Sequence, residues 1–133
     1  MSDFFCVDTD ALIDFQRGDQ IALRELAYLE RAAPLSVSAI VRMELIIGSS
    51  NREFLQRTEK LLKRYQLLPL EAEIGALADC WLLGFSLGKG LRLADALIAA
   101  TAVHHAAPLL TKNQRDFYFI PGLKLLPYPG TPA

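Results

Sequence analysis

The chain of 133 residues is poor in the groups that mark several large functional classes. It has only two cysteines, Cys6 and Cys80, too few for a disulfide framework. Both sit in apolar stretches and read as small hydrophobes in a reducing compartment. No apolar run approaches the ~20 residues that a membrane-spanning helix needs. The longest strong candidate, ALIAATAV, is ended by His104 and His105. The opening MSDFFCVDTD has no basic segment followed by a long apolar one, so no signal peptide is evident, and a cytoplasmic location is expected. Gly88-Lys89-Gly90 is too short for a phosphate-cradling loop. No Ser/His/Asp or Cys/His arrangement stands out. The two histidines lack a supporting cysteine or further histidine and read as a helix end.

There is also no excess of basic charge, the usual footprint of a nucleic-acid partner. The net charge is −1, from fourteen basic and fifteen acidic residues. Set aside four carboxylates discussed below, and the remainder carries +3. Overall charge therefore neither supports nor excludes an RNA substrate.

What the chain does have is a core. Its 52% hydrophobic and 22% charged content fit one compact domain over residues 1–133. Short apolar runs at Phe4–Val7, Leu35–Val37, Tyr65–Leu70, Pro108–Thr111 and LKLLPY read as strands. Between them lie helical stretches with recognisable starts. Asp8, Thr9 and Asp10 open ALIDFQR, Asp19 opens the next helix, and Ser38 opens AIVRMELIIG. Ser50 and Glu53 have capping-box spacing for a helix to about Arg64. Glu71–Leu87 and Leu93–His105 are long and apolar, and PGTPA, from about residue 128, reads as a loose tail. Strands alternating with helices predict an α/β fold with a mostly parallel sheet of short strands, flanked by helices.

Four acidic residues lie against these apolar runs: Asp8, Glu44, Asp95 and Asp116. A carboxylate beside core is costly unless neutralised. In a parallel α/β sheet, ligands bind at the carboxyl ends of the strands. Asp8 directly follows the first strand, Asp116 lies a short loop beyond the fourth, and Asp95 sits in the first turn of its helix. Glu44 is mid-helix and reaches the same rim only if its helix borders it. Each alone reads as a cap or a surface residue. Together they suggest a divalent cation, since hard ions take carboxylate oxygens and water. Metal-assisted phosphodiester chemistry follows as the leading hypothesis. Arg92, Lys112 and Arg115, with Lys89, are the cations closest to these acids and the candidates for RNA phosphate contact. Basic residues from Arg52 to Arg64 read as a solvated helix face.

The segments VDTDALID, SAIVRMELIIG, LRLADALIAATA and LLTKNQRDF, taken as an ordered set, resemble a PIN-domain ribonuclease. More narrowly, they resemble the VapC-like toxin of a type II toxin–antitoxin pair. The resemblance covers nearly the whole chain. It implies a three-layer PIN-like α/β fold and a catalytic quartet at Asp8, Glu44, Asp95 and Asp116, with Asp8, Asp95 and Asp116 holding Mg²⁺ or Mn²⁺. It also places supporting roles on Thr9, Ser38, Thr111 and Asn113. RNA endonuclease activity, homodimerisation and inhibition by a cognate antitoxin are further implications. Two rival functions remain. Asp8-Thr9-Asp10 is the D-x-D pattern of a haloacid-dehalogenase-like phosphatase, with Asp8 as nucleophile and Asp10 as acid/base. A non-catalytic PIN-like binding module is the other.

Overall fold

In the computed structural model, which describes residues 3–130, five short strands form one sheet. They are β1 (Phe5–Val7), β2 (Leu35–Ser38), β3 (Gln66–Leu68), β4 (Leu109–Thr111) and β5 (Leu125–Pro127). Every pairing is parallel, and the spatial order is β3-β2-β1-β4-β5. β2 and β4 are buried at every residue. Strands buried on both sides require helices on both faces, which is why they read as continuous apolar runs and not as alternating ones.

Seven helices supply that cover: α1 (Thr9–Gln16), α2 (Gln20–Ala32), α3 (Ala39–Ile47), α4 (Arg52–Leu62), α5 (Ala72–Phe85), α6 (Leu93–His104) and α7 (Gln114–Phe117). α6 is the central one. Its small side chains Ala96, Ala99, Ala100 and Ala102 are buried with Ile98 and Thr101, and the helix packs on α5, α3 and β2. No helix among the described residues is long and apolar enough to cross a membrane.

Local chemistry sets most boundaries as expected. Asp19 accepts the N–H groups of Ile21 and Ala22, and Ser38 accepts that of Val41. Gly18 closes the α1–α2 turn at φ +77°, a conformation glycine adopts without a Cβ penalty. Four expectations need correction. The cap of α4 is Asn51, whose Oδ1 accepts from Phe54 at 2.8 Å, so the Ser50–Glu53 capping box does not form. Asp116, expected in a short loop beyond the fourth strand, lies instead in one helical turn, Gln114–Phe117. Cys80 is exposed on α5, whereas Cys6 is buried and its thiol is pushed up to about 11. The expected loose tail is anchored as far as residue 130: Tyr128 is buried, its hydroxyl donates to Asp14, and the Gly130 N–H donates to Glu25. Its remainder, 131–133, lies outside the described residues.

Candidate active site

The sheet order reverses direction between β1 and β4, the point where a parallel sheet opens a crevice at its carboxyl ends. Asp8 follows β1 there and Thr111 ends β4. Asp8 is 5% exposed. It caps α1 differently from the way Asp19 caps α2. Asp19 is exposed and reaches the second and third helical N–H groups. Asp8 reaches only the first, Thr9 N–H at 2.8 Å, and turns its other oxygen away from the helix. That oxygen, Oδ2, accepts from the Thr111 hydroxyl at 2.7 Å.

Thr9 carries the next link. Its hydroxyl donates to Glu44 Oε1 at 2.6 Å. Glu44 is therefore drawn inward from mid-α3, and α3 packs against α1 and α6. Ser38 contributes by capping α3, through the Val41 N–H, and so fixes the helix that carries Glu44. Asp95 sits in the first turn of α6 and is partly buried. Burial raises its carboxyl above the ordinary range. Arg92 opposes that rise, while Asp116, Glu44 and Asp10 add to it. The mutual influence of these groups brings all four predicted acids into one field.

Burial, followed by Asp10, pushes the Asp8 carboxyl up to about 7, against the hydrogen bonds from Thr111 and Thr9. Asp95 raises it further. A group in this position stays protonated or meets a cation.

Asp10 belongs to the same cluster, although the sequence reading reserved it for the phosphatase. Its Oδ2 accepts the Lys112 N–H at 3.0 Å and lies 3.3 Å from the Thr111 hydroxyl. Its Oδ1 is buried with no hydrogen-bond partner among the described residues. The signal was its position two residues after Asp8, which places it in the first turn of α1.

The peripheral residues divide. Asn113 donates its backbone N–H to Thr111 Oγ1 at 3.0 Å, while its side chain caps nothing. Lys112 is not the free rim cation expected. Its Nζ pairs with Asp14 Oδ2, and it lies over the Tyr128 ring. Arg92 reaches Asp95 Oδ2 at 3.9 Å from an exposed position. Arg115 is exposed beside Asp116 and forms no ion pair among the described residues. Lys89 leans on Tyr118.

Among the described residues, no three of these acids bring ligand atoms within 4.8 Å of one another. Among the described residues, the only three potential ligand atoms within 4.8 Å of one another belong to a different cluster, Glu71, His104 and His105.

With this geometry in place, a family model for the PIN domain matches residues 5–123, and the chain belongs to that family. The protein is 30% identical to a chain of a toxin–antitoxin complex from Klebsiella pneumoniae, covering 92% of this chain and 95% of that one at a TM-score of 0.75. VapBC2 from Rickettsia felis, solved bound to a promoter DNA fragment, shares the fold at 22% identity and a TM-score of 0.79, covering 93% and 98%. DNA-bound VapBC from Salmonella typhimurium does so at 23% and 0.77, covering 96% and 99%. Comparison with curated proteins gives no match.

Proposed function

We propose that this protein is a divalent-metal-dependent endoribonuclease, acting in the cytoplasm as the toxin of a toxin–antitoxin pair. The observation that carries the reading is Asp8, a buried carboxylate at the switch point of the sheet whose charged form nothing nearby neutralises. The residues present fit a hard cation. The donor set is all carboxylate, and Asp10 Oδ1 is a buried acceptor without a donor. Asp8, Asp95 and Asp116 would hold Mg²⁺ or Mn²⁺, with Asp10 beside them. Such an ion, when bound, lowers the pKa of its water and polarises a phosphate oxygen.

The chain's own residues have definable tasks. The Thr111 hydroxyl fixes the orientation of Asp8, and the Thr9 hydroxyl fixes that of Glu44. Outer hydrogen bonds of this kind hold ligating groups in place. Glu44, at the edge of the cluster, would orient the attacking water. Arg92 and Arg115 are the exposed cations at the rim and would position the RNA backbone.

Membership in the PIN-domain family takes support from the phosphatase reading of Asp8 and Asp10. The binding-module reading loses ground because the quartet is complete. The named complexes among the structural relatives support an antitoxin as partner. A groove lined by Phe15, Phe54, Leu61, Arg57, Lys60 and Arg64 runs beside α4 and shares Gln16 and Phe54 with a second groove that Glu44 helps to line. Its apolar floor and basic edges suit an amphipathic partner segment carrying acidic residues. Homodimerisation draws support from the apolar residues Ile47, Leu83 and Leu87, which the single chain leaves exposed.

The test is incubation of the purified protein with total RNA, with Mg²⁺ and with a chelator, beside Asp8→Asn. Cleavage that needs Mg²⁺ and vanishes in the variant is expected. Equal cleavage by both proteins, or cleavage in chelator, would overturn the assignment. Light scattering of the free protein decides dimerisation.

A further inference from the structure

A second group of metal-capable side chains lies outside the carboxylate crevice. Glu71, just before α5, meets His104 and His105 at the C-terminal end of α6. Glu71 Oε2 is 3.5 Å from His104 Nε2 and 3.6 Å from His105 Nε2. These separations are longer than the ~3.2 Å limit of an ordinary N–H···O hydrogen bond. They are close to the roughly 3.3 Å edge between two ligands that each stand ~2.0–2.1 Å from a tetrahedral ion. All three ligand atoms lie within 4.8 Å of one another. His105 Nε2 is buried and has no hydrogen-bond partner among the described residues. The two imidazole rings stand nearly perpendicular, at 85°, with centroids 5.0 Å apart, so neither blocks the other's nitrogen.

The geometry points to a second cation site, formed by Glu71, His104 and His105 and selective for a borderline transition ion such as Zn²⁺. Two imidazoles and a carboxylate make a donor set that Zn²⁺, Co²⁺ and Ni²⁺ prefer and Mg²⁺ does not. The side chains of His104 and His105 are 29% and 23% exposed, and that of Glu71 is 43% exposed, so an ion has access and a water can complete the coordination. Positive charge is favoured there, because His105 caps the C-terminus of α6, the negative end of the helix dipole. Asp95 stands at the opposite end of the same helix. Nine residues at 1.5 Å each put about 14 Å between them, so the two sites fill independently. Bound at this point, the ion clips the start of α5 to the end of α6.

The experiment is calorimetric titration of the full chain with Zn²⁺ in the presence of excess Mg²⁺, followed by thermal unfolding with and without Zn²⁺. One Zn²⁺ per chain is expected, with a raised Tm, in the wild type and equally in Asp8→Asn. Both effects should be lost in Glu71→Gln, an exposed change that leaves the core intact, and in His104→Ala. Circular dichroism of the metal-free variants confirms that they fold. Absence of Zn²⁺ binding to the wild type overturns the proposal. So does binding that survives in Glu71→Gln and His104→Ala, or that disappears in Asp8→Asn.

Discussion

The hydroxyl of Thr111 donates a 2.7 Å hydrogen bond to Asp8 Oδ2, joining residues 103 positions apart and tying β4 to β1 at the mouth of the crevice. Both residues are buried, so the bond is shielded from water. It also opposes the rise of the Asp8 carboxyl that burial and Asp10 produce.

Metal-free protein should lose stability as pH rises from about 4 to about 7. In that window the unfolded chain has released the Asp8 proton, whose ordinary value is 3.8, while the folded chain still binds it. Folding then takes up a proton, so the contribution is complete below the unfolded value and is lost as pH passes the folded one. The full effect is roughly 4 kcal/mol. Burial raises Asp10 and Asp95 as well, and both act with the same sign. Asp8→Asn removes the Asp8 part, so in chelator it should be more stable than the wild type at pH 8 and differ little at pH 4. Urea unfolding at the two pH values measures this, and added Mg²⁺ should flatten the wild-type slope.

Asp10→Asn should weaken Mg²⁺ binding by about 10- to 100-fold while leaving the rate at saturating Mg²⁺ close to normal. Asp10 stands beside Asp8 and carries the unpartnered Oδ1, but α1 and β4 hold its position without help from substrate. A Mg²⁺ titration of RNA cleavage separates affinity from rate. In the phosphatase reading the same change removes the acid/base, and the rate would collapse at every Mg²⁺ concentration.

Thr9→Val should lower kcat about 10-fold with little change in KM. The substitution keeps the branched shape and removes only the donor to Glu44 Oε1. Thr9→Ser, which restores the hydroxyl, should recover most of the rate. Steady-state cleavage of a short RNA reads both.

Ser38→Ala should cost about 1 kcal/mol of stability through loss of the α3 cap. The Val41 N–H would then be left without its partner in a buried setting. Glu44 rides on that helix, so a loss of activity is expected to follow the loss of stability, largest near Tm. Denaturant midpoints and cleavage measured on the same preparations check the link.

Much of this architecture was legible because its determinants are local. Asp19 and Ser38 announce helix starts through side-chain oxygens that reach N–H groups two or three residues on. The Ala-rich face of α6 announces a helix that must pack closely. Asp8 and Thr111 each end an apolar run, and a parallel sheet places such ends together. What escaped was decided by distant partners. Asp10 enters the site because α1 leaves β1 at an angle that sets its first turn against β4. Lys112 is drawn to Asp14 and the Tyr128 ring, a meeting that requires β5 to return beside β4. Glu71 and the two histidines are more than thirty residues apart and meet only because α5 packs on α6. Asn51 in place of Ser50 is a local miss, where two adjacent residues compete to cap one helix.

The crevice draws its first carboxylates from residues 8 and 10 and its closing pieces from residues 111 and 116. A ribosome must therefore have synthesised most of the polypeptide before this cluster can assemble. Fragments ending ahead of β4 would carry Asp8 with no threonine to orient it.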